Sequence, residues 1–395
     1  MTVQHFDIAI LGGGNAGMTL AAKISSKTKD KKIVVFEPQK ANTKNATWSL
    51  WATKSEISIL KPFIKGQWQK WKIVTHNSEI IHESTEHNYI AIDSSKYLKS
   101  YERSLDKEVT LLPYHAELCS ESDETIISAD NKIYKSNLTF DSRPPELMRD
   151  GLKQHFIGWE IETEQDLEDI DTVTLMDFTV DQSKGIHFIY ALPLSKNTIL
   201  VESTMLSNHV EKDVWYESSI KEWLDVRDIS IKKHLRTERG IIPMHKTKQR
   251  FSKVINIGVR GGAVRLSSGY SFSIIERQIT ALCEELELSD YNMPKKQLSY
   301  PLMFLDRVFN SVISEFPNKA SEIFIKHASS MQGDEYAKFM RGSQNLILWL
   351  KVMLALPKFI FLKSLLSKKI TFENRFSDKF SKNLFLLIIF FSNKL

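Results

Sequence analysis

The sequence predicts an α/β protein in which a parallel nucleotide-binding sheet carries an inserted antiparallel sheet and is followed by helices. Three observations predict these parts: a glycine-rich turn between apolar β-type runs near the N-terminus, three β-type runs in 172–204, and apolar residues at helical spacing from Leu302 onwards. With 395 residues, 42% hydrophobic and 26% charged, the chain is typical of a globular protein with one large or two intertwined domains.

The N-terminal segment has the pattern of a Rossmann-type βαβ unit. The strand FDIAIL (6–11) leads into the turn GGGNAG (12–17), a helix follows, and the strand KKIVVFEP (31–38) ends beside Glu37. The motif glycines are Gly12, Gly14 and Gly17. They permit the tight turn, the close approach of a pyrophosphate and the helix–strand contact, while the acid binds a ribose hydroxyl. A glycine-rich turn in a non-binding α/β domain is the alternative.

A second glycine-rich segment favours FAD as the dinucleotide. VINIGVRGG (254–262) is an apolar strand ending in glycines, which would bring backbone N–H groups near the flavin or the pyrophosphate. SSGYSFS (267–273) follows, and its hydroxyls could bind phosphate, flavin carbonyls or cap a helix. FDSRPP (140–145) ends another strand and leads out of the nucleotide domain. The additional candidate cofactor-binding residues are Asp141, Gly258, Gly261, Gly262, Ser268 and Gly269.

These segments predict a discontinuous domain organisation. The FAD-binding domain is expected to comprise residues 1–50, 95–145 and 250–290, the substrate-binding domain residues 51–94 and 146–249, and a helical C-terminal region residues 291–395.

A single acid stands out in the three β-type runs. TILVEST (198–204) is an apolar strand interrupted by Glu202. Because strand side chains alternate, Leu200 and Glu202 should share one face, with Ile199 and Val201 on the other. A carboxyl there either pairs with an arginine or lysine, lies at an edge in water, or occupies a pocket. Beside a dinucleotide site, the last interpretation predicts acid–base chemistry.

Several motifs in one order resemble those of bacterial lycopene β-cyclases. They are FDIAILGGGNAG (6–17), ATWSLW (46–51), FDSRPP (140–145), IGWEIET (157–163), MDFTVDQ (176–182), FIYALPLS (188–195), LVEST (200–204), ERGIIPM (238–244) and GVRGGAVRLSSGYS (258–271). The resemblance covers roughly residues 5 to 275. It implies a flavin-dependent isomerase that closes each acyclic end of lycopene into a β-ionone ring, with reduced FAD, NAD(P)H as electron donor and no net redox change.

The resemblance also implies roles for particular residues. Glu202 matches the family's essential carboxylate, but Ser203 stands where a second acid usually follows. Asp177 and Asp181 therefore become candidates for the second acid. They are four apart, which would place them on one face of a strand, although solvated or turn-capping aspartates are the alternative. Trp48 and Trp51 either pack in the core or stabilise a carbocation through their π faces.

Elementary chemistry supports this interpretation. A hydrocarbon substrate offers no heteroatom to bind, so its site must be an apolar tunnel. Protonating an alkene requires an acid that stays neutral near pH 7, and burial achieves this by raising the pKa of a carboxyl group. The resulting cation needs nearby negative charge or π density.

The C-terminal region is basic as well as apolar. From Gln344 onwards nine lysines and arginines oppose two acids, which leaves a net charge of −2 on the rest of the chain. The apolar runs 346–366 and 384–391 are interrupted before they reach the ~20 residues of a spanning helix. Basic residues among Trp, Phe and Leu suit a helix lying on anionic lipid, and an ordinary packed helix is the alternative. We expect peripheral association with the cytoplasmic face of the cell membrane.

Other classes of protein and site are disfavoured. Cys119 and Cys283 lack a CxxC partner, and the histidines lack ligand spacing, so neither a disulfide framework nor a metal is expected. The near-neutral body predicts no nucleic-acid partner, and the N-terminus lacks the pattern of a signal peptide. A flavin monooxygenase or prenyl reductase, and a non-catalytic carotenoid carrier, are the alternative functions. Gly258-Val259 in place of the usual Gly-Asp argues against a monooxygenase.

Overall fold

The computed structural model describes residues 3–27, 30–43, 45–121, 124–246, 253–287 and 296–366. The strands are β1 (Gln4–Leu11), β2 (Ile33–Phe36), β3 (Thr47–Thr53), β4 (Ile64–Trp68), β5 (Lys70–Thr75), β6 (Ser78–Glu83), β7 (His87–Asp93), β8 (Val109–Leu112), β9 (Glu117–Glu121), β10 (Thr125–Ala129), β11 (Lys132–Asp141), β12 (Lys153–Thr163), β13 (Thr172–Asp177), β14 (Ile186–Ser195), β15 (Thr198–Ser207), β16 (Ile231–Pro243) and β17 (Ile255–Asn256). The α-helices are α1 (Asn15–Ser25), α2 (Lys54–Leu60), α3 (Ser94–Arg103), α4 (Asp213–Asp225), α5 (Phe272–Glu287), α6 (Tyr300–Glu315), α7 (Ala320–Ser329), α8 (Gly333–Met340), α9 (Leu346–Ala355) and α10 (Lys358–Leu366).

The first sheet carries the nucleotide motif. Its strand order is β8-β2-β1-β11-β10-β9, and the short β17 pairs in parallel with the end of β11. β1 pairs in parallel with both β2 and β11, and α1 connects β1 to β2. Ile8 and Ile10 of β1 face the main core, whereas Ala9 and Leu11 face a second cluster. Burial on both faces explains why this strand is a continuous apolar run in the sequence.

The second sheet is built mainly from residues 153–243. Its strand order is β16-β12-β15-β14-β13-β5-β6, and its pairs are antiparallel except β13 with β5. β5 and β6 come from the earlier segment 70–83, so both parts of the predicted insertion contribute strands to one sheet. The fold class predicted from the sequence, including the helical C-terminus, is confirmed. The exact domain boundaries remain a prediction.

Side-chain alternation on β15 directs Glu202 to one face of this sheet. Leu200 and Leu206 lie in the main core, on the same face as Glu202. Ile199 and Val201 belong to a separate cluster formed with α4 on the opposite face. The two faces are therefore distributed as the alternation of the sequence predicts.

The C-terminal helices close the molecule over the core. The apolar run 346–366 forms two short helices rather than one, because α9 ends at the extended residue Leu356 and Pro357 follows. Within the described ranges, no helix combines the length and the apolar character that crossing a membrane requires. The second apolar run of the predicted tail, 384–391, lies outside the described residues.

Candidate active site

One cavity joins the nucleotide motif to Glu202. Its volume is about 690 Å³, within the range of roughly 300–1,000 Å³ that is usual for ligand sites. Gly14 and Ala16 line one part, Glu202 and Thr204 of β15 line another, and Trp349 and Phe361 of the C-terminal helices contribute a wall. The cavity therefore runs between the two sheets and beneath the last helices.

The N-terminus of α1 suits a phosphate group. Gly14 is its N-cap residue and makes no side-chain cap hydrogen bond, so N–H groups of the first turn face the cavity without an internal partner. A Cβ atom at Gly14 would meet no protein atom within 4 Å. At Gly17 a Cβ atom would lie 1.9 Å from the carbonyl oxygen of Gly12. Gly14 thus leaves room for a ligand, whereas Gly17 allows α1 to pack against the turn.

The two acids that the sequence predicts as cofactor ligands, Glu37 and Asp141, both bind other groups of the protein. Glu37 follows β2, and its carboxylate accepts hydrogen bonds from the backbone N–H groups of Gly13 at 2.7 Å and Gln39 at 2.9 Å. Asp141 is buried, forms an ion pair of 2.7 Å with Arg143, and does not line the cavity. Glu37 is placed at the turn, as a ribose ligand requires, while Asp141 fixes the chain as it leaves β11. Their cofactor-binding roles remain predictions.

The glycine-rich return reaches the same cavity. Gly258, Ser268 and Gly269 line the cavity, whereas Gly261 and Gly262 do not. Gly258 has a φ of 63°, which favours glycine. Its N–H donates to the side chain of Gln278. The nucleotide turn and the return segment therefore line the same cavity.

Glu202 lies buried at the other end of the cavity. Its exposed fraction is 8%, and within the described chain it forms no ion pair with a lysine or arginine. On β15 it pairs with Tyr190 of β14 on one side and Gly158 of β12 on the other. Burial, reinforced by the nearby carboxylate of Glu238, raises the pKa of Glu202 well above its usual value. This environment favours the protonated, uncharged form of the carboxyl group.

Aromatic side chains surround this end of the cavity. Tyr89 and Tyr190 join their hydroxyl groups at 2.9 Å, and the rings of Trp51 and Tyr89 have centroids 4.7 Å apart. Burial raises the pKa of both tyrosines, so their hydroxyl groups stay protonated. The other aromatic residues lining the cavity include Trp48, Phe156, Phe188, Tyr270, Phe272, Phe304, Phe309, Phe324, Tyr336, Phe339, Trp349 and Phe361. Such walls are suited to hydrocarbon and to developing positive charge.

Neither Asp177 nor Asp181 lines the cavity. Asp177 is buried and accepts hydrogen bonds from Trp223 at 2.9 Å and Arg227 at 2.5 Å. Asp181 is exposed and caps a turn through Ser183. The expectation that the two share a strand face was wrong, because β13 ends at Asp177 and Asp181 lies in the following loop. Their catalytic roles remain predictions without a place in the cavity.

Ser203 also faces away from the cavity. Its hydroxyl group lies 2.9 Å from Nε2 of His187, and both side chains are fully buried on the α4 side of the sheet. An acid at this position would therefore not join Glu202.

Two residues of the site were not identified from the sequence. Glu238 and Gly158 stand in the motifs ERGIIPM and IGWEIET, but a single sequence does not show which residues of separate strands lie opposite each other. In the structure, Gly158 of β12 lies opposite Glu238 of β16. The only signal was an acid and a glycine inside strand-like motifs.

One group of side chains has the composition of a metal site. Glu86, His87 and Asp334 lie close together near the start of α8. Glu86 forms an ion pair with Lys338 at 2.5 Å, and Asp334 accepts the hydroxyl group of Ser84. The acids thus have protein partners, and the absence of a metal remains a prediction.

A Rossmann-type sheet whose glycine-rich turn opens into a large, mainly apolar cavity defines a cofactor-dependent enzyme. The model of one family, described as "Lycopene cyclase protein", matches residues 7–359. The chain belongs to the lycopene cyclase family.

Curated relatives agree with this assignment at low identity. The chain is 22% identical over 286 residues to lycopene beta-cyclase of Pantoea ananas, covering 68% of this chain and 72% of that one. It is 22% identical over 309 residues to lycopene beta-cyclase of Pseudescherichia vulneris, covering 74% and 77%. A neoxanthin synthase from Solanum lycopersicum is also 22% identical, with 67% of this chain and 57% of that one covered.

Solved structures share the fold. A geranylgeranyl bacteriochlorophyll reductase-like protein from Thermoplasma acidophilum has a TM-score of 0.58 at 13% identity, covering 93% of this chain and 97% of that one. The flavin-dependent brominase Bmp2 has a TM-score of 0.55 at 11% identity, covering 92% and 98%. At these identities the likeness concerns architecture alone.

Proposed function

We propose that this protein is a lycopene β-cyclase that converts the acyclic ends of lycopene into β-ionone rings. The observation that carries the proposal is the carboxyl group of Glu202, buried in an aromatic cavity that continues to the nucleotide turn. Membership of the lycopene cyclase family supports the same substrate class. An apolar cavity with one buried carboxyl group suits a substrate that has no polar group to bind.

The protein's own residues account for the steps of the isomerisation. The O–H bond of Glu202 breaks and a C–H bond forms at the terminal double bond, leaving a carbocation. The π faces of Trp51, Tyr89 and Tyr190 stabilise this charge until the ring closes. A neighbouring C–H proton then leaves, and the carboxylate of Glu202 is the base placed to recover it. Atoms and electrons balance without any net oxidation.

The cofactor proposed for the other part of the cavity is FAD. Gly14 and the first turn of α1 would hold its pyrophosphate, Glu37 its ribose, and Gly258 with Ser268 the segment beyond. When bound in its reduced form, with NAD(P)H as the proposed electron donor, FAD supplies negative charge near the developing cation.

Pigment analysis tests the proposed reaction. Cells that accumulate lycopene are expected to form β-carotene when they express this chain, with γ-carotene as the one-ring intermediate. Chromatography with absorption spectra separates these products. Unchanged lycopene would contradict the proposal, and products with saturated double bonds would identify a reductase instead.

We further propose that α9 and α10 rest on an anionic membrane at its cytoplasmic face. Ile347 and Phe359 expose 68% and 79% of their surface, while the neighbouring Trp349 and Phe361 line the cavity. Lys351, Lys358 and Lys363 lie on the same helices, which suits lipid headgroups of negative charge. The same helices would thus contact lipid and cover the route by which a membrane-dissolved hydrocarbon reaches the cavity.

Vesicle binding tests this surface. The double variant Ile347→Ser/Phe359→Ser should bind phosphatidylglycerol vesicles about tenfold or more weakly, since two large apolar side chains each contribute roughly 1.5–3 kcal/mol when buried. Added salt should weaken wild-type binding because it screens the lysines. Ile59→Ser is the matched control, since Ile59 is equally exposed on α2. Equal binding of the double variant and this control would exclude the surface.

A further inference from the structure

Glu202 and Glu238 meet across a strand that carries no side chain between them. Gly158 of β12 pairs with Glu202 of β15 on one side and with Glu238 of β16 on the other. Neighbouring strands lie about 4.8 Å apart, so the two acids start from backbones about 10 Å apart on the same face. Long side chains close that gap only if the residue between them leaves the space open.

The side chains of Glu202 and Glu238 fill the space that a side chain at position 158 would occupy. A Cβ atom at this position would lie 2.6 Å from Cγ of Glu202 and 3.3 Å from Cγ of Glu238. The first distance is too short for any real side chain, so even alanine would displace Glu202. Glycine at position 158 is therefore a geometric requirement of the pair rather than of the strand, whose conformation any residue could adopt.

Glu238 is anchored by an arginine and a backbone N–H group. One oxygen, Oε2, accepts hydrogen bonds from the backbone N–H of Thr47 at 2.7 Å and from Arg236 at 2.8 Å. Arg236 also donates a hydrogen bond of 2.6 Å to Glu160. Lys65 donates a second hydrogen bond of 2.6 Å to the carboxylate of Glu160. These contacts fix the position of Glu238, and a carboxylate is the acceptor that an arginine binds most strongly.

The second oxygen of Glu238 has no donor of its own. Oε1 is buried and has no hydrogen-bond partner among the described residues. A protonated Glu202 supplies the missing donor, whereas an ionised Glu202 would place two negative charges together in an apolar cavity. Around Glu202 the other titratable groups are Arg236 beyond Glu238, and Tyr190 and Tyr89 on the opposite side.

We propose that Glu238 is the positioning residue that keeps one shared proton on Glu202, with Gly158 as the spacer that lets the two carboxyl groups meet. The inference rests on the proposed cyclase function and adds a second acid to it. In the reaction Glu202 gives its proton to the double bond, and the pair then carries two negative charges. Their repulsion favours recapture of the proton that leaves the ring, which restores the starting state without another reactant.

The variant Glu238→Gln tests the pair because it removes the charge and keeps the size. Cyclisation requires protonated Glu202, so activity is present below the pKa of Glu202 and is lost as pH rises through it. Removing the neighbouring anion lowers that pKa, and the alkaline loss of activity should therefore begin about one pH unit or more lower than in the wild type. At a pH between the two midpoints the variant should lose about tenfold in kcat for each pH unit above its own midpoint.

An infrared titration provides a readout that is independent of turnover. The carboxylic-acid carbonyl band of Glu202, assigned by its absence in Glu202→Gln, should disappear at lower pH in Glu238→Gln than in the wild type. Glu238→Asp, which restores the charge, should return the band towards wild-type behaviour. Glu162→Gln is the control, because Glu162 lies on the same sheet but pairs with Lys232 at the surface.

The outcomes separate the inference from the function on which it rests. An inactive Glu202→Gln together with a wild-type pH profile in Glu238→Gln would overturn the role of Glu238 and leave the cyclase proposal standing. An active Glu202→Gln would overturn the mechanism itself. Gly158→Ala adds a second check, because it should disturb the band of Glu202 although it removes no acid. A wild-type band in Gly158→Ala would contradict the spacer role.

Discussion

Glu202→Gln is expected to fold, to bind the flavin and to leave lycopene uncyclised. Glutamine keeps the size of the side chain and can still donate to Oε1 of Glu238, but it cannot give a proton to an alkene. General acid–base groups contribute about 10²–10⁴-fold to rate. We expect the upper end, since the neighbouring acid, Glu238, is already engaged by Arg236 and Thr47. The measurement is the rate of ring formation in purified, reduced enzyme.

Asp177→Asn and Asp181→Asn are the controls for this result. Asp177 binds Trp223 and Arg227 away from the cavity, and Asp181 caps an exposed turn. Asp177→Asn should lower the free energy of unfolding, but the folded protein should still cyclise lycopene at the normal rate. Asp181→Asn should change neither quantity appreciably. If either abolished cyclisation while Glu202→Gln remained near wild type, the acid would have been misassigned.

Gly14→Val should lose the cofactor while the protein keeps its fold. The backbone of Gly14 has a φ of −78° and a ψ of −163°, which valine tolerates, and its Cβ atom would meet no protein atom within 4 Å. The added methyl groups would instead occupy the place of the pyrophosphate. We expect FAD affinity to fall by at least about tenfold, equivalent to about 1.4 kcal/mol. Flavin absorbance after gel filtration measures the bound fraction.

Gly17→Ala is a useful comparison because its damage should be structural. A Cβ atom there would lie 1.9 Å from the carbonyl oxygen of Gly12, so α1 must move away from the turn. This variant should lower the unfolding temperature of the cofactor-free protein, whereas Gly14→Val should not. A Gly14→Val protein that retains normal flavin content would refute the assignment of the nucleotide site.

Local and contiguous features were predictable from the sequence. The turn 12–17, its flanking strands and the acid at Glu37 depend on residues that are neighbours in the chain, and glycine requirements of this kind are visible in one sequence. The orientation of Glu202 followed from the period of two in a strand. The helical C-terminus followed from apolar spacing, although Pro357 was not recognised as the point where the run 346–366 breaks.

Features that depend on pairing between distant segments were not predictable. Glu238 meets Glu202 because two strand registers converge on Gly158, and nothing in the local sequence specifies a register between strands that are far apart in the chain. The hydrogen bond between Tyr89 and Tyr190 likewise joins β7 to β14, which are far apart in the chain. Conversely, Asp177 and Asp181 were candidates for the second acid because nothing in the local sequence shows that Arg227 pairs with Asp177 or that Asp181 caps an exposed turn.

The hydrogen bond between Ser203 and His187 has a consequence for what this chain could accept at position 203. Consecutive residues of a strand belong to opposite layers, so an acidic doublet at 202 and 203 would supply one group to the cavity and one to the packing behind it. An acid at 203 would confront the buried imidazole of His187, whose ring centroid lies 4.5 Å from that of Trp215. Serine avoids placing a charge in this layer against α4.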